Sequence, residues 1–196
     1  MLDVYLLEPH TQIDQAQSYI RSYPHMLASL AFFQVLTERD FVCGAHMVYG
    51  WMPTILEIHV TESLSLLDGV SLLHKARTQG QLSCSELQQL AQLVNRSVVG
   101  ASKLLHFVNP EAFAIWDSRI YRFIYEQAPH QNRVNNAAAY ERYLMLLQQL
   151  RQDERFPVFH AAINQKMGYP VSALRALEVV MFLNAQGTAA TAPAGQ

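Results

Sequence analysis

Apolar residues recur every three or four positions along most of the chain, which is the spacing that one buried face of a helix requires. Pro24 precedes a strongly apolar stretch and suits the first turn of a helix, where its missing N–H costs no hydrogen bond. That stretch, residues 26–36, is predicted to be the central core helix. In chain order the pattern predicts helices over residues 11–20, 26–36, 70–77, 87–94, 101–108, 118–125, 135–152, 158–167 and 172–185. We therefore expect an all-α, single-domain orthogonal bundle of roughly eight to ten helices.

Three segments lack a clear helical period. Residues 41–52 are rich in Gly, aromatics and Met and are predicted to form a loop or a short helix. Residues 54–60 have β-branched side chains typical of a strand, but we favour a helix because no second strand is visible to pair with them. Residues 187–196 contain no apolar anchor and are expected to be disordered, which leaves residues 1–186 as the folded domain.

Polar residues at the ends of the predicted helices indicate caps and turns. Asp68 is expected to cap the helix that Gly80 ends, and Ser83 with Glu86 three residues later has capping-box spacing. Residues 95–100, which include a glycine, are expected to form the turn between two helices. The two helices and their turn form a helix-hairpin-helix-like unit.

Composition narrows the functional classes. The 196 residues carry 14 Lys and Arg against 16 Asp and Glu, a formal net charge of −2, which argues against a protein that coats nucleic acid by charge alone. From Arg96 onward basic residues outnumber acidic ones, so an anion-binding surface is expected in the second half. Only 15% of residues are charged and 51% are hydrophobic, so part of the surface is expected to serve self-association into a homo-oligomer.

The chain shows no signal for a membrane, a disulfide or a metal. No apolar run approaches the ~20 residues that span a bilayer, and the first residues are acidic where a signal peptide is basic, so we expect a cytoplasmic protein without a membrane contact. Cys43 and Cys84 are far apart and are expected to be reduced packing residues. The histidines lack paired spacing, so no metal site is expected, and no GxGxxG or P-loop pattern occurs, so no cofactor is expected.

Lys103 and Asp117 are the main candidates for chemistry. They lie fourteen residues apart in an otherwise apolar segment, with Pro110 breaking the helix between them. Asp117 also stands where the N-cap of the next helix belongs. A buried ammonium and carboxylate either pair with each other or act on a ligand. Both interpretations remain open at this point, and a structural ion pair of Lys103 with Glu111 is a third.

The sequence Val99-Gly-Ala-Ser-Lys103, followed by Asp117-Ser-Arg-Ile120, resembles the signature of the helix-hairpin-helix DNA glycosylases, in which a Gly-rich turn precedes a lysine and a later aspartate caps a helix. It is most similar to the 8-oxoguanine glycosylase branch and its OGG-fold relatives, over about residues 86–125. The resemblance implies that Lys103 attacks the anomeric carbon of a sugar to form a Schiff base. It also implies that Asp117 stabilises the developing cation.

Other side chains are candidates for substrate binding. A base that is flipped out of a duplex stacks on aromatic rings, which Trp51 and Trp116 offer, although a core role is the alternative for Trp116. His106 lies one helical turn after Lys103 and is a candidate proton shuttle, with a satisfied interior histidine as the alternative. Arg119 and Arg175 are expected to face the same cleft, while Arg175 also has the spacing for a structural pair with Glu178.

We therefore predict a base-excision glycosylase, acting as a DNA N-glycosylase and AP lyase, or a protein that recognises a modified nucleobase. The alternative is a non-enzymatic helical module for self-association or partner binding, in which Lys103 and Asp117 form a structural ion pair. Exposure of both residues in a cleft with a basic rim favours the enzyme. A mutual salt bridge under packed side chains favours the module.

Overall fold

The computed structural model describes residues 2–31, 36–51 and 54–185, so the predicted disordered segment 187–196 lies outside the described residues. Within them the chain is all-α, as predicted. Nine of the α-helices have eight residues or more. The helices are α1 Val4–Leu7, α2 Ser18–Ala31, α3 Glu38–Trp51, α4 Leu66–Gln79, α5 Cys84–Leu93, α6 Val98–Val108, α7 Ser118–Tyr125, α8 Gln131–Val134, α9 Ala137–Leu150, α10 Phe156–Met167 and α11 Ala173–Asn184, with a 3₁₀ helix at Glu8–His10. None of the helices in this part of the chain is both long and apolar enough to cross a membrane.

Two strongly apolar helices organise the packing. Helix α6 contacts α2, α3, α4 and α5, whereas α11 contacts α1, α7, α9 and α10. Every residue of α11 from Ala173 to Met181 is buried, and in α6 Lys103 alone interrupts the buried run from Gly100 to Phe107. The buried side chains of both groups form one hydrophobic cluster. The seam between the α6 group and the α11 group is where the candidate site lies.

Helix α2 runs through Pro24, so the prediction that a new helix begins at this proline is wrong. Proline has no N–H to donate to Ile20, and in the structure the carbonyl of Ile20 instead accepts a hydrogen bond of 2.6 Å from the hydroxyl of Tyr169. The predicted helix over 11–20 is also wrong at its start, since α2 begins at Ser18. Few residues of α2 are buried, so it is not the central core helix, and residues 32–35 of that prediction lie outside the described residues.

Helix α3 spans a segment that was predicted to be a loop or a short helix. Thr37 and Asp40 form reciprocal side-chain to backbone hydrogen bonds of 2.9 and 3.3 Å at its start, which supplies the cap that the periodicity did not reveal. Gly44 lets α3 approach α2, because a Cβ there would lie 2.9 Å from the side chain of Leu30. Cys43 is exposed on this helix, so its predicted packing role is wrong.

Residues 54–60 are extended, so the predicted helix is wrong. The backbone N–H of His59 donates to the carbonyl of Leu93, and the N–H of Asn95 donates to the carbonyl of Glu57, both at 2.9 Å. Asn95 also accepts from the N–H of Glu57 through its side chain, at 2.6 Å. The segment therefore pairs with the end of α5 and needs no second strand.

The capping predictions are partly confirmed. Ser83 and Glu86 form the predicted capping box of α5, and Gly80 ends α4 with a positive φ of 65°. Asp68 is not the N-cap of α4, because Ser65 occupies that position and Asp68 closes the capping box from the third helical position. Helix α4 consequently begins at Leu66.

The turn between α5 and α6 is shorter than predicted. Asn95 and Arg96 form it, with positive φ values of 54° and 49°, and Ser97 caps α6. Gly100 therefore lies in the first turn of α6 and not in the hairpin turn. Its role is close packing, because a Cβ there would overlap the hydroxyl of Tyr49 and lie 2.7 Å from its Cζ.

Candidate active site

A pocket of about 460 Å³ opens at the seam between the α6 group and the α11 group. Four rings form much of its wall, contributed by α2, α3 and α11, and we call it the aromatic pocket. Its lining residues are Tyr19, Tyr49, Trp51, Thr54, Asn95, Ser97, Val99, Gly100, Lys103, Ile115, Asp117, Ser118, Arg119, Arg175, Glu178 and Phe182. This volume is in the range of sites that hold a small molecule.

A shallower polar depression, which we call the outer groove, adjoins the aromatic pocket. Arg96, Gln131 and Asn135 line it, together with six residues that it shares with the aromatic pocket. Lys103 and Asp117 are among the shared residues. They therefore lie at the junction, with the aromatic pocket on one side and the outer groove on the other.

Lys103 is chemically distinct from the other lysines of the chain. The sequence contains three, and Lys75 and Lys166 each form an ion pair of 2.6 Å, with Glu86 and Glu8. Lys103 has no ion pair or hydrogen bond with any described residue. Burial lowers the pKa of Lys103, because desolvation disfavours the ammonium form more than nearby carboxylates restore it. Lys103 therefore loses its proton to give the neutral amine more readily than an exposed lysine does.

Asp117 caps α7, as predicted. Its Oδ1 accepts hydrogen bonds from the backbone N–H groups of Arg119 and Ile120, at 2.9 and 3.0 Å. No hydrogen bond to Oδ2 is present within the described residues. Two N–H donors and the helix N-terminus stabilise the anion, while the second oxygen remains available to a positive centre in the pocket.

Ser102 explains how Lys103 and Asp117 reach the same pocket. Its buried hydroxyl accepts from the N–H of Trp116 at 3.1 Å and also lies 3.3 Å from the carbonyl of Trp116. Ser102 immediately precedes Lys103, and Trp116 immediately precedes Asp117. The tether therefore fixes the loop after α6 against the helix and brings the lysine and the aspartate together.

The floor of the aromatic pocket carries a buried ion pair. Arg175 and Glu178 of α11 are 3% and 1% exposed, and the Nη1 of Arg175 donates to the Oε2 of Glu178. The guanidinium also lies 4.9 Å from the ring centroid of Tyr23, while its Nε has no hydrogen-bond partner in the described part of the chain. Burial raises the pKa of Glu178 to about 7, since Arg175 only partly offsets the desolvation.

His106 does not line the aromatic pocket, contrary to its predicted role in substrate binding. It is fully buried, its Nδ1 donates to the carbonyl of Phe113 at 2.7 Å, and its Nε2 accepts from the hydroxyl of Tyr23 at 2.7 Å. Burial lowers the pKa of His106 to about 3, so the ring is neutral at physiological pH. The geometry therefore fits a satisfied interior histidine.

The two tryptophans have different positions. Trp51 lines the aromatic pocket, where its Nε1 donates to the carbonyl of Tyr19 at 3.2 Å. Trp116 is fully buried behind the pocket and donates to the carbonyl of Val134 at 2.8 Å, so its predicted contact with substrate is not available. Arg119 lies at the mouth with its guanidinium 4.6 Å from the centroid of Phe182.

Several pocket residues were not predicted from the sequence. Tyr19, Tyr49 and Phe182 come from three helices, and no spacing links them. Glu178 had a signal, because two charged residues inside an otherwise apolar helical stretch must be paired or functional when that stretch is buried. Within the described residues no group of three or more His, Cys, Asp or Glu side chains is arranged to hold a metal ion.

Comparison of the chain with protein-family models, with curated proteins and with solved structures gives no match. The chemistry of the aromatic pocket is therefore the guide to function.

Proposed function

We propose that this protein is a nucleic-acid base-excision glycosylase, in which Lys103 is the nucleophile and Asp117 stabilises the cationic sugar. The observation that carries the proposal is the junction of the aromatic pocket with the outer groove. There a desolvated lysine without a partner among the described residues lines the same surface as Asp117, whose Oδ2 accepts no hydrogen bond from those residues. A nucleotide whose base occupies the aromatic pocket would have its sugar at this junction.

The aromatic pocket suits a base that has left its stack. Rings of Tyr19, Trp51 and Phe182 offer apolar faces, and Asn95 and Ser97 offer polar groups near the mouth. Arg96 and Arg119 are both exposed beside the opening and form a basic rim. Such a rim favours phosphate contacts without requiring a strongly basic protein.

The reaction is balanced by the protons of Lys103 itself. The neutral amine attacks C1′, forming a carbon–nitrogen bond, while the glycosidic bond breaks and its electron pair leaves with the base. Opening of the sugar ring at O4′ then gives the iminium. Starting from the ammonium, one proton remains on the nitrogen, one ends on the base and one on O4′. Asp117 favours the step because its anion lies beside the positive charge that develops on the sugar.

The non-enzymatic alternative predicts a Lys103–Asp117 ion pair under packed side chains. No ion pair joins these residues, and both line an open pocket, which favours the enzyme. The alternative would also leave the desolvated amine of Lys103, and the Oδ2 of Asp117 that accepts no hydrogen bond from the described residues, without a role.

Single-turnover base release from a panel of oligonucleotides with damaged bases tests the proposal. We expect release of at least one base by the wild-type protein and none by Lys103→Gln. Because Lys75 is paired with Glu86 and neither residue lines the aromatic pocket, Lys75→Gln is the matched control and should retain activity. Absence of base release across a broad panel would contradict the proposal.

A further inference from the structure

The proposed reaction requires two proton transfers that Lys103 and Asp117 do not complete by themselves. Lys103 must lose a proton before it attacks, and the departing base must gain one. Asp117 uses one oxygen to cap α7 through two backbone N–H donors and lies at the junction where the sugar would be, so it suits an electrostatic role. A group that exchanges a proton between the lysine and the base must therefore come from elsewhere in the aromatic pocket.

Glu178 occupies the position that such a group needs. It lines the aromatic pocket but not the outer groove, so it lies at the end where the base would bind. Its Oε2 accepts from Arg175, while its Oε1 has no hydrogen bond in the described part of the chain. Burial favours the neutral carboxyl, so the group can hold and release a proton near neutral pH.

The surroundings of Glu178 differ from those of an ion pair that is only structural. A structural pair in a core has its remaining donors and acceptors satisfied, because an unmet polar group costs stability. Here the two buried side-chain atoms without a partner among the described residues are Nε of Arg175 and the hydroxyl of Tyr143. The first of these atoms belongs to the residue that holds Glu178, so this pair is not fully satisfied. Burial, and to a lesser extent the charge of Glu178, raises the pKa of the Tyr143 hydroxyl.

We propose that Glu178 takes the proton from the ammonium of Lys103 and delivers it to the departing base, and that Arg175 holds the carboxylate in place. This inference rests on the proposed glycosylase function. The first transfer leaves a neutral amine and a neutral carboxyl. It requires a bridging group such as water, because the two side chains are not in ion-pair contact. When the glycosidic bond breaks, the proton passes to the base and Glu178 returns to its carboxylate.

The coupling between the titrations of Lys103 and Glu178 can be tested without any substrate. Protein with ¹³C at the lysine ε position gives three signals, because the chain has three lysines, and Lys103→Gln identifies that of Lys103. We expect the Lys103 signal to titrate in two steps, the lower of which is lost in Glu178→Gln. Glu8→Gln is the matched control, since it removes the partner of Lys166 and should leave both steps of Lys103. A single step that is unchanged in Glu178→Gln would overturn the inference.

Comparison of two substrates separates the proton relay from structural damage. An oligonucleotide with an intact base requires protonation of that base, whereas a preformed abasic site does not. Deprotonation of Lys103 is needed on both substrates and bulk water can also accept that proton, whereas protonation of the base is needed only on the first. We therefore expect Glu178→Gln to slow base release about 10²-fold and to slow borohydride trapping on the abasic site less than about 10-fold. Equal losses on both substrates, or no loss on either, would overturn the inference. Failure of wild type on both substrates would contradict the proposed function itself.

If Glu178→Gln does not fold, Arg175→Met combined with Glu178→Met removes the ion pair without leaving a buried charge unpaired. The same split between the two substrates and the same loss of the lower titration step are expected for this double variant. Base release at the wild-type rate in the folded double variant would overturn the inference.

Discussion

The side chains of Lys103 and Asp117 line one pocket without forming an ion pair with each other. The carboxylate instead binds two backbone N–H groups of α7, and the amine is left in a desolvated position with no partner among the described residues. Asp117 therefore has two separable roles, one in capping the helix and one in the pocket.

Substitution of Asp117 should separate these roles. Asn is as good an N-cap as Asp, so Asp117→Asn should change the free energy of unfolding little, whereas Asp117→Ala should cost about 0.5–2 kcal/mol. Both variants lose the anion beside the sugar and should slow base release about 10²–10³-fold. Urea denaturation and single-turnover kinetics measure the two effects. Full activity of Asp117→Asn would show that Asp117 is only a cap.

Removal of the Ser102 tether should affect both stability and chemistry. In Ser102→Ala the buried N–H of Trp116 loses its acceptor, which should cost about 1–3 kcal/mol, and the loop that carries Asp117 is no longer fixed. We expect slower base release in addition to a lower midpoint in urea. Ser71→Ala is the control, because the exposed hydroxyl of Ser71 binds only the carbonyl of Leu67 in its own helix. Equal effects of the two substitutions would contradict the assigned role of Ser102.

A side chain at Gly100 should destabilise the protein. A Cβ there overlaps the hydroxyl of Tyr49, so Gly100→Ala should lower the free energy of unfolding by about 1–3 kcal/mol. Gly50→Ala is the matched control, because a Cβ at this position near the end of α3 meets nothing within 4 Å. Helix propensity alone predicts that Gly50→Ala raises the free energy of unfolding by up to about 1 kcal/mol. Tyr49→Leu should rescue Gly100→Ala in a double-mutant cycle. Destabilisation of both glycine variants alike would contradict this packing account.

The buried, neutral ring of His106 should make the stability of the protein depend on pH. The pKa of this ring is about 3 when folded and near 6.5 when unfolded, so the unfolded state binds the extra proton between these values. The stability that the neutral ring provides is therefore complete above pH 6.5 and is lost as the pH falls. We expect the stability of wild type relative to His106→Gln to fall by about 1.4 kcal/mol per pH unit across that window. A difference that is constant with pH would contradict the assignment.

Local signals predicted much of the fold, and long-range contacts explain the errors. Caps such as Ser83 and Asp117 act within three residues, so the sequence pattern reveals them. Continuation of α2 through Pro24 depends on Tyr169, and the extended segment at 54–60 depends on the end of α5. No window of local sequence contains those partners.

The residues of the candidate site also fall into two groups, those that local sequence predicts and those that only the packing of distant helices brings into the pocket. Lys103 and Asp117 stand in one segment and could be predicted together, whereas Tyr49 and Glu178 reach the pocket only through the packing of α3 and α11. Trp116 had the composition of a stacking residue but is buried, because the loop before Asp117 is anchored inward. Periodicity predicts which face of a helix is buried, but not which side chains from distant helices meet.

Identification of the covalently modified residue tests the central claim most directly. The protein is incubated with lesion-bearing oligonucleotides and borohydride, digested, and the peptide that carries the sugar adduct is identified by mass spectrometry. We expect the adduct on Lys103, its loss in Lys103→Gln, and its persistence in Lys75→Gln and Lys166→Gln. An adduct on another amine, or no adduct across a broad lesion panel, would contradict the assignment of Lys103 as the nucleophile.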